Sequence, residues 1–330
     1  MITFAMFGAG RIGKIHAANI AGAEGARLAY IVDVDRAAMD HIAKLTGARP
    51  ATREEVLADR SVDAVVIASP TDTHAELCVA AAKAGKAIFC EKPIDLSLKR
   101  VDACLAAVRR AGVPMMVGFN RRFDPNFAAL KSRMDKGEIG TLEQVIITSR
   151  DPGLPPITYL KASGGQFRDM TIHDFDTARW LLGEDPAEVY ATGSCLVDPG
   201  LAKIGDIDSC MVVMRTASGK LAHINNSRRA TYGYDQRVEA FGSKGRMIAG
   251  NVAPTTVELA NGDTVSADKP LHFFLERYAQ AYRIELAAFL NALAKKRPMP
   301  VGAADGRAAL VLAEAALASL KSGRAVKPKF

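Results

Sequence analysis

The amino terminus reads Ile2-Thr3-Phe4-Ala5-Met6-Phe7-Gly8-Ala9-Gly10-Arg11-Ile12-Gly13, and this stretch decides the fold. The apolar run 2–7 predicts a buried strand, and residues 14–21 predict a helix. Between them lies a G-x-G-x-x-G pattern in the strand-to-helix setting that a dinucleotide-binding fingerprint requires. Gly8 permits the tight turn, Gly10 lets the backbone approach a pyrophosphate, and Gly13 allows the helix to pack closely. The free N–H groups of the helix then face the phosphates.

A second predicted strand, 28–32, ends at Asp33. A carboxylate at that position accepts hydrogen bonds from both ribose hydroxyls of NAD and repels the 2′-phosphate of NADP. Arg36 lies close by and offers a positive charge that suits NADP. The sequence therefore favours NAD as cofactor but leaves NADP open.

Strands and helices alternate through the rest of the first third of the chain. Further helices are expected at 36–46, 70–84 and 97–110, and further strands at 64–68, 87–90 and 115–118. Repeated strand-helix-strand units with right-handed crossovers give a doubly wound parallel sheet. We therefore expect residues 1–118 to form an NAD-binding Rossmann domain.

The pattern changes after Phe119. Helices are expected at 124–136, 169–183, 272–296 and 304–322, and strands at 145–148, 188–195, 209–215, 220–227, 237–241, 247–248 and 255–259. Successive short strands with tight turns favour a mainly antiparallel open sheet. Residues 119–330 are thus expected to form an α+β domain for substrate binding and oligomerisation, whose last helices can pack back on the first domain.

Composition excludes several classes of protein. The 330 residues suit two domains, with 49% hydrophobic and 24% charged residues. The net charge of +7 is spread along the chain without interleaved aromatic residues, which favours a solvated surface over nucleic-acid binding. No apolar run reaches membrane-spanning length, and the first strand begins too early for a signal peptide. The five cysteines form no metal-ligand pattern, so we expect a metal-free cytoplasmic protein.

Two groups of polar residues are candidates for chemistry. On one uninterrupted helix, Asp169, His173 and Asp176 fall on a single stripe, which places an imidazole between two carboxylates, whereas Asp174 points elsewhere. The alternative is a helix start whose acids complement the dipole, with His173 partly buried. Lys92 follows a buried strand at the edge of the sheet where ligands bind, although a lone lysine there is more often a surface charge.

Five segments together resemble the glucose-fructose oxidoreductase and inositol dehydrogenase (Gfo/Idh/MocA) family over essentially the whole chain: Gly8–Gly13, Ser69–His74, Glu91–Pro93, Gly118–Asp124 and Asp169–Asp176. Three more resemble the bacterial inositol 2-dehydrogenases within it: Ser149–Pro152, Ile172–Asp176 and Tyr232–Arg237. The resemblance implies NAD-dependent oxidation of a ring hydroxyl of myo-inositol to 2-keto-myo-inositol (scyllo-inosose). It also implies a homotetramer built through the antiparallel sheets.

The resemblance also assigns roles to residues. It implies catalytic roles for Lys92, Asp169 and His173, and substrate contacts from Arg122, Asp151, Asp176 and Tyr234. Cofactor contacts are implied for Gly8, Gly10, Arg11, Ile12, Gly13, Asp33, Ser69, Pro70, His74, Glu91 and Lys92. Some inositol dehydrogenases carry Asn where this chain has Asp151, which leaves the preferred isomer open.

These residues suit a metal-free hydride transfer. The ordinary imidazole pKa of about 6.5 makes His173 a general base near neutral pH, with Asp169 as its orienter. Lys92 would donate to the reacting oxygen and stabilise its developing charge. Three alternatives stay open: a pyranose or another inositol as substrate, an NAD-binding regulator without turnover, and redox-assisted glycoside cleavage.

Overall fold

The computed structural model describes all 330 residues, Met1–Phe330. The chain forms two compact units, each built from two segments. Met1–Phe123 and Ala281–Leu310 make the first unit, and Asp124–Gln280 and Val311–Phe330 make the second. The chain therefore leaves the first unit near residue 123, returns to it for residues 281–310 and ends in the second unit.

The first unit is built on a parallel sheet of six strands. They are β1 (Ile2–Phe7), β2 (Ala26–Val32), β3 (Arg49–Pro50), β4 (Ala64–Ile67), β5 (Ala87–Glu91) and β6 (Met115–Gly118). Their order is β3-β2-β1-β4-β5-β6, and every neighbouring pair is parallel. This is the strand order of a Rossmann fold, so the predicted doubly wound sheet is confirmed. The short edge strand β3 was not predicted.

Helices connect these strands: α1 (Arg11–Gly22), α2 (Arg36–Thr46), α3 (Arg53–Ala58), α4 (Thr71–Lys83) and α5 (Leu98–Ala111). Residues 281–294, from a helix late in the chain, also pack on this sheet. The ring of Phe289 lies 6.1 Å from that of Phe4 and 5.6 Å from that of Phe89, centroid to centroid. The core of the unit therefore includes a residue of a late helix, Phe289, which lies 200 residues after Phe89 in the chain.

The remaining helices are α6 (Pro125–Asp135), α7 (Ile157–Ala162), α8 (Gln166–Asp169), α9 (Ile172–Leu182), α10 (Phe274–Arg277), α11 (Ala279–Ala294) and α12 (Ala303–Ser322). The predicted helix 272–296 is wrong in its continuity, because Tyr278 leaves helical geometry between α10 and α11. No helix of the protein is both long and apolar enough to cross a membrane.

The second unit is built on a sheet of six strands: β7 (Leu142–Arg150), β8 (Pro186–Ser194), β9 (Ser209–Thr216), β10 (Leu221–Ser227), β11 (Asp235–Gly242) and β12 (Gly245–Ala249). Their order is β12-β11-β7-β10-β9-β8. Only the pair β7–β10 is parallel, so the mainly antiparallel open sheet is confirmed. Helix α9 packs on β7 and β10 and covers one face. A separate hairpin pairs β13 (Glu258–Ala260) with β14 (Val265–Ala267). The strand predicted at 255–259 therefore lies at 258–260, and it belongs to this hairpin rather than to the large sheet.

Candidate active site

The turn between β1 and α1 is shaped by its glycines. Gly8 has a φ of +106°, and a Cβ there would lie 2.4 Å from the carbonyl oxygen of Ala68. A Cβ on Gly13 would lie 2.1 Å from the carbonyl oxygen of Gly8. At Gly10, by contrast, no heavy atom lies within 4 Å of an added Cβ. The turn is thus closed on its inner side and open beside Gly10, as a pyrophosphate approaching the backbone requires.

The carboxylate of Asp33 is tied to this turn. Its Oδ2 accepts a hydrogen bond from the Ala9 N–H at 2.5 Å, and its Oδ1 accepts one from the Asp35 N–H at 2.9 Å. Arg36 instead donates to Asp40 at 2.9 Å in an exposed pair on α2. These groups fit the adenosine ribose of NAD. In the first turn of α1, Arg11 is exposed and Ile12 is half-buried.

His74 braces the loops that follow β4 and β5. The ring is buried, its Nε2 lies 2.8 Å from the carbonyl oxygen of Ser69, and its Nδ1 lies 2.8 Å from that of Pro93. The Ser69 hydroxyl also lies 2.6 Å from the Thr73 hydroxyl, across the turn at Pro70. His74 therefore holds two loops of the sheet edge at a fixed spacing through its backbone contacts.

Glu91 and Lys92 lie at the end of β5. The buried Glu91 has its Oε1 2.7 Å from Nε2 of His16, a residue of α1 that sequence reasoning missed. A Cβ on Gly118 would lie 2.9 Å from Glu91 Oε2, so glycine leaves room for the carboxylate. Lys92 follows, half-buried, with a cis peptide bond to Pro93.

Arg122 lies in a 3₁₀ helix, Asn120–Phe123, directly after β6. Its Nη2 donates to Asp305 Oδ1 at 3.0 Å, and Asp305 belongs to the first turn of α12. The second oxygen of Asp305 accepts a hydrogen bond from the Gly302 N–H at 2.9 Å. The guanidinium of Arg122 is therefore fixed by a carboxylate that is itself fixed.

In the second unit, the segment around His173 departs from its predicted form. Helix α8 ends at Asp169 and α9 begins at Ile172, so the uninterrupted helix 169–183 is wrong. The Thr171 N–H reaches five residues back to the Gln166 carbonyl at 3.0 Å, and the Thr171 hydroxyl donates to Asn226 at 2.6 Å. Met170 and Thr171 keep right-handed helical angles. Asp169 consequently stays about one turn before His173 although the helix is broken.

Asp169 is held on both of its oxygens. The Tyr159 hydroxyl donates to Oδ1 at 2.7 Å, and Arg228 Nη2 donates to Oδ2 at 3.0 Å. Arg228 also donates from Nε to Gln166 Oε1 at 2.8 Å, and its Nη1 lies 4.0 Å from Asp151 Oδ2. Two acids predicted for the site are thus brought together by one arginine. Sequence reasoning missed Tyr159 and Arg228, for which the chain offers only an aromatic in a proline-rich loop and a basic residue after a strand.

The charges of this cluster perturb its members. The pKa of Tyr159 is raised above its usual value, first because its hydroxyl is desolvated and second because the Asp169 carboxylate lies beside it. Burial by itself would lower the pKa of the Arg228 guanidinium. The negative charges of Asp169 and Asp151 have the larger effect and hold this pKa above its usual value. At neutral pH, Tyr159 is therefore a donor and Arg228 a permanent cation.

His173 is more exposed than the acidic residues that follow it in α9. Asp174 and Asp176 are buried, and Asp174 accepts a hydrogen bond from the Asn226 amide at 2.9 Å, whereas His173 is partly exposed. The His173 carbonyl accepts from the Thr177 hydroxyl at 2.8 Å. The first turns of α9 therefore present an imidazole whose backbone is fixed by its own helix.

Tyr234 is fixed by its neighbours. Its ring makes edge contacts with Phe273 and Tyr278 at centroid distances of 6.0 and 5.9 Å. The preceding Gly233 has a φ of +128°, and a Cβ there would lie 2.6 Å from the Pro270 carbonyl oxygen. This buried tyrosine is therefore held in a single orientation by packing on one side and by the turn on the other.

Family models match both parts of the chain. Residues 2–119 match the model described as an oxidoreductase family with an NAD-binding Rossmann fold. Residues 127–248 match the model of the GFO/IDH/MocA C-terminal domain. Together they cover most of both sheets.

Whole-length relatives extend this match. An inositol 2-dehydrogenase of Rhizobium meliloti is 51% identical over 326 residues, covering 98% of this chain and 98% of that protein. The structure of a myo-inositol dehydrogenase from Corynebacterium glutamicum gives a TM-score of 0.96 at 44% identity, covering 100% of this chain and 99% of that one. A scyllo-inositol dehydrogenase from Lactobacillus casei, solved with NAD(H) and scyllo-inositol, gives 0.92 at 30% identity, covering 99% of each.

Proposed function

The chain belongs to the GFO/IDH/MocA family of NAD-dependent oxidoreductases, and from this premise we propose that it oxidises a ring hydroxyl of myo-inositol to 2-keto-myo-inositol (scyllo-inosose). The observation that carries the proposal is the carboxylate of Asp169, held on both oxygens and placed about one turn before the partly exposed His173. A fixed carboxylate beside an imidazole is the arrangement of a general base with its orienter. Such a base suits removal of a proton from a hydroxyl.

The two parts of the chain divide the work. Residues 1–118 bind NAD through the turn at Gly8–Gly13 and through Asp33, with Ser69, Pro70, His74 and Glu91 shaping the neighbouring loops. Residues 119–330 supply most substrate contacts. When bound, NAD supplies the acceptor for the hydride that leaves the ring carbon.

Three side chains carry out the proton chemistry. His173 takes the proton of the reacting hydroxyl, because a neutral imidazole is a competent base near neutral pH. Asp169 keeps the ring oriented and stabilises the imidazolium that forms. Lys92 donates to the reacting oxygen and stabilises the negative charge that develops there, a role that commonly contributes most to the rate.

Four further polar residues suit a polyol substrate. A ring that carries a hydroxyl on each carbon requires many donors and acceptors, and Arg122, Asp151, Asp176 and Tyr234 provide both kinds. Packing or ion pairs fix Arg122, Asp151 and Tyr234, so the ring would meet prearranged partners. Asp151 in place of an amide provides only acceptors when ionised, which makes it the residue most apt to influence the choice of isomer.

A homotetramer assembles through the open face of the second sheet. One exposed row crosses all six strands in register: Tyr190, Val213, His223, Ile146, Glu239 and Ile248. Its four apolar members are each 37–53% exposed, which is unusual for a continuous row on a sheet. Val213→Asp within this row should reduce the assembly mass in light scattering, with Leu196→Asp, also exposed but outside the row, as control. Equal masses for wild type and Val213→Asp would contradict assembly through this face.

The experiment that tests the activity is a substrate panel. The purified protein is given NAD with myo-, scyllo- or chiro-inositol, glucose or xylose, and NADH formation is followed. We expect the highest kcat/KM with myo-inositol. A higher value with a pyranose would transfer the proposal to sugars, and NAD binding without NADH from any of the five would favour a regulator.

A further inference from the structure

Arg228 is the most buried cation near the candidate base. It follows directly after β10, and only 1% of its surface is exposed. Its side chain meets Gln166 Oε1 at 2.8 Å, Asp169 Oδ2 at 3.0 Å and, more distantly, Asp151 Oδ2 at 4.0 Å. A buried guanidinium is strongly unfavourable unless its nitrogens face acceptors, and here all three do.

The two carboxylates need this cation. Asp169 and Asp151 are like charges that lie on either side of one guanidinium. The positive charge between them offsets their mutual repulsion. Asp206 adds a further negative charge that acts on Arg228. The cluster therefore contains more acids than bases and depends on a single arginine for its balance.

We propose that Arg228 is a positioning residue for the oxidation proposed above: it holds the Asp169 carboxylate in one orientation and partly neutralises its charge, and through Asp169 it sets the pH range in which His173 accepts a proton. The inference rests on the proposed function, because it takes His173 as the base. Arg228 need not touch the substrate.

Tyr159 completes the clamp from the other side. Its hydroxyl donates to Asp169 Oδ1 at 2.7 Å, although 49% of the residue is exposed on α7. Because each oxygen of Asp169 has its own donor, rotation of the carboxylate breaks one hydrogen bond or the other. Asp169 thus acts on His173 as an oriented anion whose charge Arg228 partly neutralises. It is poorly suited to carry the proton away.

The test compares Arg228→Met, which removes the charge, with Arg228→Lys, which keeps it but loses the planar fork. The matched control is Arg229→Met, because Arg229 is the exposed next residue and donates to the Leu196 carbonyl at 3.1 Å, outside the cluster. Two readouts are needed: the pH profile of NADH formation, and an NMR titration of His173 in protein without NAD, assigned with His173→Ala. Binding of NAD by fluorescence and circular dichroism verify the fold.

We expect Arg228→Met to lower kcat by about 10- to 100-fold, the range for a lost hydrogen bond to a charged group. The acidic midpoint of the profile and the NMR midpoint should both rise by about one pH unit, because a nearby positive charge is gone. Arg228→Lys should keep both midpoints near those of the wild type while losing part of kcat. Arg229→Met should match the wild type throughout.

Unchanged midpoints in a folded Arg228→Met protein would overturn the inference, since a merely structural arginine changes the amplitude and not the midpoint. If Arg228→Met does not fold, Tyr159→Phe and Arg228→Lys decide: a several-fold loss of kcat with a raised midpoint in Tyr159→Phe supports the clamp, and wild-type behaviour of both overturns it. If no polyol is oxidised but the NMR midpoint rises in Arg228→Met, the proposed function fails while the clamp stands.

Discussion

Two glycines of the fingerprint turn should fail in different ways when replaced by alanine. In Gly13→Ala the new Cβ would lie 2.1 Å from the Gly8 carbonyl oxygen, a backbone atom that cannot move without opening the turn. We expect this overpacking to lower the free energy of unfolding of the protein without cofactor by about 3 kcal/mol, the upper end of the usual range. For units of this size that lowers Tm by roughly 6–12 °C.

In Gly10→Ala the new Cβ meets no heavy atom within 4 Å, and the backbone at φ −70° and ψ −163° is accessible to alanine. The free energy of unfolding of Gly10→Ala without NAD should therefore stay within about 1 kcal/mol of the wild-type value. The Cβ would instead occupy the space for the pyrophosphate, which predicts NAD affinity weaker by about 5- to 150-fold, equivalent to 1–3 kcal/mol.

The assay is thermal unfolding of each variant with and without NAD, together with a fluorescence titration of NAD. Gly22→Ala, at the exposed end of the same helix with nothing within 4 Å of its Cβ, is the matched control and should keep both stability and affinity. Wild-type NAD affinity in Gly10→Ala, or a loss of stability as large as in Gly13→Ala, would show that the space beside Gly10 is not where the pyrophosphate binds.

Three further predictions concern single side chains. Asp33→Ala should weaken NAD and relatively favour NADP in binding titrations, because it removes the ribose acceptor and a repulsive charge; an unchanged preference would contradict that role. Lys92→Met should keep most of the NAD affinity but lose about 10²- to 10³-fold in kcat, and near-normal turnover on every polyol would exclude Lys92 from the reaction. Activity should rise with pH around the imidazole range of about 6.5 and lose this limb in His173→Ala. Asp169→Asn added to His173→Ala should cost little more, and fully multiplicative losses would separate the two residues.

Local sequence signals were sufficient for five of the six strands of the first sheet. β1, β4, β5 and β6 are apolar runs buried over almost their whole length, and β2 is half-buried, but the two-residue edge strand β3 carries no such signal. The helix α2 at Arg36–Thr46 begins after the capping residue Asp35 and ends at Gly47 with a φ of +76°, so its bounds could be predicted residue by residue.

The break between α8 and α9 could not be predicted in this way. It depends on Thr171, whose hydroxyl donates to Asn226 on β10, 55 residues later in the chain. Likewise, Arg228 reaches Asp169 over 59 residues. Helical periodicity contains no information on such contacts, because they exist only once α8 has packed beside the end of β10. The acids of the site were accessible from sequence spacing, but the cation that balances them was not.

Hydride transfer from an inositol ring carbon to NAD is the step on which the proposed activity depends. The most direct measurement uses myo-inositol deuterated at the carbon that becomes the ketone, with the reduced cofactor and the sugar product analysed by mass spectrometry. We expect one deuterium in the reduced cofactor for each molecule of 2-keto-myo-inositol formed. Ketone without labelled cofactor, or bound NAD with neither product, would contradict it.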